Sequence, residues 1–159
     1  INAIDTIGNS SLALAGKFSS TDLLEKAMQL NGWKNINYVG FVNREEIKQL
    51  LGESIAGLVI LHPTTNYKDS LPIKMFEYMA AGLPVIASDF ALWREIIEEH
   101  NCGICVNPLD NSEISKAMQY IIENPNKTKQ MGKNGRKAVE TKFNWETESK
   151  KLIELYNNL

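Results

Sequence analysis

The sequence predicts an α/β fold in which a parallel sheet carries helices on both faces, and three observations lead to it. Short apolar runs at residues 12–15, 36–41, 58–61, 85–87 and 104–106 are bounded by glycine, proline or polar residues, as buried strands are. Helical patterns at 21–30, 44–51, 71–81 and 92–99 fall between them, and strand–helix alternation of this kind implies parallel pairing. Several boundaries also carry residues with a physical reason to start or stop an element. The 159 residues, 43% hydrophobic and 23% charged, suit a single domain spanning 1–159.

Taken in order, residues 1–7 resemble the tail of a helix. The strand at 12–15 is then expected to be an inner member of a sheet whose preceding unit lies upstream. After the helix at 21–30 and the strand at 36–41, Asn43 and Glu46 form a capping-box pattern that opens the helix at 44–51. Beyond the strand at 58–61, Ser70 is expected to accept backbone N–H bonds at the start of the helix at 71–81. Pro72 is tolerated in its first turn, and Gly82 suits the left-handed conformation at its end. Strand 85–87, helix 92–99 and strand 104–106 follow, and then three successive helices at 112–123, 126–141 and 145–157 with no strand after them. No internal repeat or low-complexity linker interrupts this order.

Composition removes whole classes of function. A net charge of -2 and a pI near 5.8 lack the electropositive footprint that binding to a phosphate backbone requires, so nucleic acid is not an expected partner. No apolar run approaches the roughly 18 residues that span a bilayer, and the first residues lack the basic and hydrophobic regions of a signal peptide. A cytoplasmic protein is the expectation. Cys102-Gly103-Ile104-Cys105 has the spacing of a redox pair or half a metal site. A redox pair opens a helix, however, whereas this one runs through Val106 into Asn107-Pro108. A zinc site needs a second ligand pair that His100 alone does not provide. The two cysteines read as small residues packing along a strand.

The richest segment runs from Asn66 to Ser88 and joins a polar loop, a helix start and an immediate return to a strand. Such a unit sets loop amides and a helix N-terminus at the carboxyl edge of a parallel sheet, where anions and nucleotides bind, and a diphosphate would fit there. Lys74 and Glu77 are three apart and share a helix face. Glu77 either receives hydrogen bonds from vicinal hydroxyls such as those of a ribose or forms an ion pair with Lys74 on a solvated face.

This segment resembles the signature of the large family of retaining glycosyltransferases that makes bacterial surface polysaccharides, with two Rossmann-like domains in a GT-B architecture. Its mark is two acids separated by seven residues, a spacing that Asp69 and Glu77 reproduce. The resemblance implies that Asp69 lies near the donor sugar, although the family has Glu there, and that Glu77 binds the nucleotide ribose. It gives the diphosphate to the backbone N–H groups of Ile73 and Lys74, with the Lys74 ammonium and Ser70 in the same set. Pro72 stands where the family commonly has glycine and has no N–H to donate. The segment 38–43 resembles the family's strand and turn beside the nucleobase, with the Val42 backbone reading the base; an ordinary core strand entering a capped helix explains its side chains equally well. Gly16 and Lys17 superficially match the family's Gly-Arg and later Lys that grip the diphosphate. Their closeness to the 38–42 segment fits the second strand of the domain better, which puts that cationic pair upstream of residue 1 and keeps Gly16 and Lys17 as nucleotide-binding candidates at the next strand end. Trp93-Arg94-Glu95, Cys102-Gly103, Asn107-Pro108, Met131-Gly132 and Asn144-Trp145 extend the likeness over nearly the whole chain.

The resemblance therefore implies the donor-binding, C-terminal half of a transferase, N-terminally truncated and inactive alone. Its ligand is a UDP- or GDP-sugar, as substrate and not cofactor, with no metal. A saccharide or lipid-linked acceptor comes from an absent N-terminal domain, and peripheral attachment to the inner face of a membrane is compatible with that acceptor. Two other readings stay open at this point: a nucleotide-sugar epimerase of the same architecture, and a non-catalytic scaffold. An NAD-dependent enzyme is disfavoured because no strand is followed by the glycine fingerprint.

Overall fold

The computed structural model describes residues 1–8 and 10–158. Its strands are β1 (Leu12–Ala15), β2 (Ile36–Gly40), β3 (Gly57–Val59), β4 (Val85–Ser88) and β5 (Gly103–Val106). Its helices are α1 (Thr21–Met28), α2 (Arg44–Glu53), α3 (Thr65–Lys68), α4 (Ile73–Ala80), α5 (Ala91–His100), α6 (Asn111–Glu123), α7 (Pro125–Thr141) and α8 (Trp145–Asn157), with single 3₁₀ turns at Asn2–Ile4 and Asn31–Asn35. Every pairing is parallel, β1 with β2 and β4 between β3 and β5. The expected α/β class is therefore observed, but the strands form two sheets, because β1 and β3 do not pair.

Local chemistry explains where the helices begin. The Asn43 side chain accepts from the amides of Glu45 and Glu46 while the Glu46 carboxylate takes the Asn43 amide at 2.6 Å, so the capping box forms as expected. Ser20, Asp110 and Asn144 cap α1, α6 and α8, and Pro125 occupies the first turn of α7. The cap expected of Ser70 is not made. Its hydroxyl donates instead to the Tyr67 carbonyl at 3.3 Å, α3 occupies residues expected to be loop, and α4 starts only at Ile73 with Pro72 before it. The cause is Pro72: its ring excludes the preceding Leu71 from helical geometry, so the helix cannot reach back to Ser70.

β4 divides the core. Val85 and Ala87 turn into one layer with Met75, Met79, Phe90, Trp93, Ile97, Cys102 and Ala138, whereas Ile86 turns into the other with Ala3, Ile4, Val106, Ile114, Met118 and Ile121. Helices thus cover both faces around β4. Cys102, just before β5, and Cys105, within it, are free thiols, and burial pushes them up to about 11 and about 12 respectively. α8, like α2, buries no side chain, and its Trp145 and Tyr156 are 74% and 69% exposed.

One close approach fixes α4 against α7. Gly82 ends α4 at φ +75°, a conformation that side chains resist, and its carbonyl lies where a Cβ on Gly132 of α7 would sit. Gly132→Ala is expected to force α7 off this turn and to destabilise the fold by about 1–3 kcal/mol, the usual range for overpacking. Denaturant unfolding checks it, with Gly52→Ala, whose Cβ meets nothing, as the control.

Candidate functional site

The loop between β3 and α4 is held from below by two buried side chains. Ser88, at the end of β4, receives the Leu61 amide at 2.8 Å and donates to the Leu61 carbonyl at 2.9 Å, fixing the chain as it leaves β3. Trp93, fully buried on α5, donates its indole N–H to the Ser70 carbonyl at 2.6 Å. α4 itself is seated by Met75 and Met79, both fully buried and one turn apart, and Arg136 of α7 donates to the Ala80 carbonyl at its end. That seating turns Lys74 and Glu77 outward, and both are exposed.

The start of α4 is open. Pro72 supplies no side-chain cap, Met75 N bonds to the Pro72 carbonyl at 3.0 Å, and among the described residues no backbone acceptor meets the amides of Ile73 and Lys74. Two free N–H groups at the positive end of a helix dipole, beside an ammonium, give this end of α4 a positive field. Glu77 one turn on offers a carboxylate that only accepts hydrogen bonds, which suits hydroxyl donors. Among the described residues Lys74 and Glu77 form no ion pair with each other or with any other side chain, so the solvated ion pair allowed by the sequence is not formed. Tyr78 is held above the usual range of a phenol, first by burial and then by the adjacent Glu77 carboxylate.

Lys74 and Glu77 share the wall of a cavity of about 600 Å³ with the whole of β1 and with Ala56, Gly57 and Leu58. The other candidates lie outside that wall. Asp69 ends α3 and is exposed, as are Ser70 and Ile73, the latter by 75%. Gly16 donates its amide to the Gly40 carbonyl at 2.7 Å, tying the carboxyl ends of β1 and β2 together. Lys17 stands 5.3 Å from the centre of the exposed Phe41 ring, and Val42 follows, half-buried. The sequence assigned no positioning role to Trp93, Ser88 or Arg136. The signal for Ser88 was a lone hydroxyl ending an apolar strand, and for Trp93 an indole N–H in an apolar helix face, since each must find a partner when buried.

The family model described as Glycosyl transferases group 1 matches residues 3–138. The chain belongs to this family. An uncharacterized glycosyltransferase of Methanocaldococcus jannaschii is 28% identical over 149 residues, which are 93% of this chain and 37% of that protein. The alpha-D-kanosaminyltransferase of Streptomyces kanamyceticus is 24% identical over 147 residues, 92% of this chain and 37% of that one. Among solved structures, a sucrose-phosphate synthase from Thermosynechococcus elongatus superimposes with a TM-score of 0.82 at 26% identity, covering 98% of this chain and 40% of its own. The Anabaena protein HepE in complex with UDP gives a TM-score of 0.85 at 20% identity, covering 99% of this chain and 43% of its own. The fold is thus one Rossmann-like unit of the GT-B type, and this chain spans about two fifths of the length of these matched proteins. No helix among the described residues is long and apolar enough to cross a membrane.

The anchoring role of Trp93 is open to measurement. Trp93→Phe keeps an aromatic ring but strands the Ser70 carbonyl, and it is expected to cost about 1–3 kcal/mol in unfolding free energy. Hydrogen exchange should quicken at residues 62–74 and stay unchanged in α6; uniform quickening would mean that Trp93 is only a core residue.

Proposed function

We propose that this unit binds the nucleotide of a UDP- or GDP-sugar for retaining glycosyl transfer. The observation that carries the reading is the uncapped start of α4, with free Ile73 and Lys74 amides, Lys74 and Glu77 on one exposed face, in a chain of the group 1 glycosyl transferases. When the bond from the anomeric carbon to the diphosphate breaks, negative charge grows on the leaving phosphate oxygen. The two amides and the Lys74 ammonium are aimed at that charge and lower the barrier without reorganising. Glu77 accepts from the two ribose hydroxyls, Asp69 and Ser70 lie toward the sugar and phosphates, and the Val42 backbone reads the base. Gly16 and Lys17 approach the nucleotide from the neighbouring strand ends. No cofactor takes part, and cations and amides stand in for a divalent ion. The acceptor, a saccharide or a lipid-linked saccharide of a surface polysaccharide or glycoconjugate, is held by the part of the protein outside this chain.

Glu77→Ala is expected to weaken binding of the nucleoside diphosphate by about tenfold or more, since hydrogen bonds to a charged group contribute about 1.5–3 kcal/mol. Calorimetry of both proteins with UDP, GDP and their 2′,3′-dideoxy analogues separates this from general damage. Wild type should prefer the ribose form and the variant should not. A folded Glu77→Ala protein that keeps the wild-type preference removes Glu77 from the ribose site.

Transfer by the full-length protein is expected to persist in EDTA. Loss of activity that magnesium or manganese restores would show that a divalent ion, not Lys74 and the helix amides, neutralises the leaving diphosphate.

A further inference from the structure

α7 is the most cationic element of the chain. It carries Lys127, Lys129, Lys133, Arg136 and Lys137 against the single acid Glu140, while the whole chain has a net charge of -2, so the remainder is net negative. The sequence sorts these charges to one side. Thr128, Gly132, Gly135 and Ala138 are buried at spacings of three and four, with Gly132 under the Gly82 carbonyl and Gly135 beside Met79 and Cys102. Lys129, Lys133 and Lys137 are spaced by four and exposed, and at about 3.6 residues per turn they fall on the side of the helix away from that buried row. The result is a ridge of ammonium groups, about 12 Å long at about 1.5 Å per residue, on a firmly seated helix.

This ridge differs from the solvated helix faces elsewhere in the protein. Lys26, Lys48, Lys150 and Lys151 each pair with an acid three or four residues away in their own helix. Lys129 and Lys133 have no acid at those spacings, and Glu140, the one acid near Lys137, is taken by Arg136 at 2.6 Å. Among the described residues Lys127, Lys129, Lys133 and Lys137 form no ion pair. Like charges four apart on a helix repel. α7 therefore carries a repulsion that the described residues do not offset and that an external negative surface would.

We propose that the lysine ridge of α7 is an electrostatic contact for a membrane surface rich in anionic lipid, made by this unit itself and without help from an acceptor. Three points favour that partner over an acidic protein. The ridge is convex and stands opposite the packed face, so a plane meets it along its whole length, whereas a folded partner would need a matching groove. Its cations are lysines, whose flexible point charges suit mobile headgroups; a fixed carboxylate or phosphate is better held by the planar fork of arginine, and Arg136 is already engaged with Glu140 and the Ala80 carbonyl. The net negative remainder of the chain is repelled by the same plane, so the protein approaches it with α7 leading. The exposed residues beside the ridge, Asn126, Gln130 and Glu140, are polar, which makes the contact one of charge and not of insertion. α7 meets α4 at its carboxyl end, through Ala80 and Gly82, so the contact leaves Lys74 and Glu77 free and does not rest on the nucleotide reading.

Co-sedimentation of the full-length protein with vesicles tests this. One set is phosphatidylcholine alone and the other contains about 30% phosphatidylglycerol, and each lysine near such a surface contributes about fivefold to partitioning. The wild type should bind the anionic vesicles in preference, and the preference should vanish between about 0.05 M and about 0.5 M salt. The triple variant Lys129→Gln, Lys133→Gln, Lys137→Gln should bind them at least about 50-fold more weakly. The triple Lys→Arg variant at the same positions should bind like wild type, because charge and not head-group geometry is read. Neutralising the paired Lys26 and Lys48 should change binding by less than about threefold. All three ridge lysines are exposed, so the Gln variant should melt no lower than wild type. Equal binding of wild type to both vesicles, or full retention by a folded Gln variant, overturns the proposal. Tighter capture of the wild type by soluble polyglutamate than by the anionic vesicles, lost in the Gln variant, would overturn it in favour of an acidic protein segment.

Discussion

The fold is organised by the double-sided pairing and complete burial of β4. Its four residues are inaccessible, its neighbours β3 and β5 bond to it in register, and its alternating side chains divide the core between two helical layers. A polar group can be tolerated in such a strand only if its hydrogen bonds are met within the protein. Ser88 meets that condition by engaging both backbone groups of Leu61, and in doing so it converts burial of a strand end into a fixed direction for the loop above it.

From that loop the position of the site follows mechanically. Trp93 holds the Ser70 carbonyl, Pro72 delays the helix by two residues, and Met75 and Met79 clamp its inner face. The outward side then carries Lys74 and Glu77 above the open amides of the first turn. Proline thus has a double effect: it removes one donor from the loop, and it shifts the helix start so that the next two donors are free. The side chains that bear the charge are exposed, but those that place them are among the most buried in the molecule.

Much of this was legible in the sequence because it is local. The apolar runs located all five strands to within one or two residues, and Asn43 with Glu46 announced a cap that the structure makes atom for atom. Gly82 was legible for the same reason, since a helix that must turn at once into a strand needs a left-handed residue. Failures came where a nonlocal or competing effect decided. Ser70 has the chemistry of a cap, but the constraint that Pro72 places on Leu71 overrules it. The relation of Lys74 to Glu77 depends on how the helix is seated, not on their spacing, and the split between β1 and β3 is a property of tertiary pairing that no run of residues within this chain encodes.

α8 is held differently from the helices packed around β4. It buries nothing, and what holds it is an Asn144 side chain that accepts the Thr147 amide while its amide group donates to the Val139 and Glu140 carbonyls at the end of α7, together with the pairs Glu146–Lys150 and Glu148–Lys151. In both pairs the acid precedes the base, the order that also suits the helix dipole. A helix of this length without a packed face lies near the midpoint of its own helix–coil equilibrium. Its population therefore responds to ionic strength, which screens exposed pairs, while the β4 core does not. Dissolved salt thus becomes a selective control over one end of the molecule: raising it frays α8 and loosens the presentation of Trp145 and Tyr156 without unlocking the strands that define the fold.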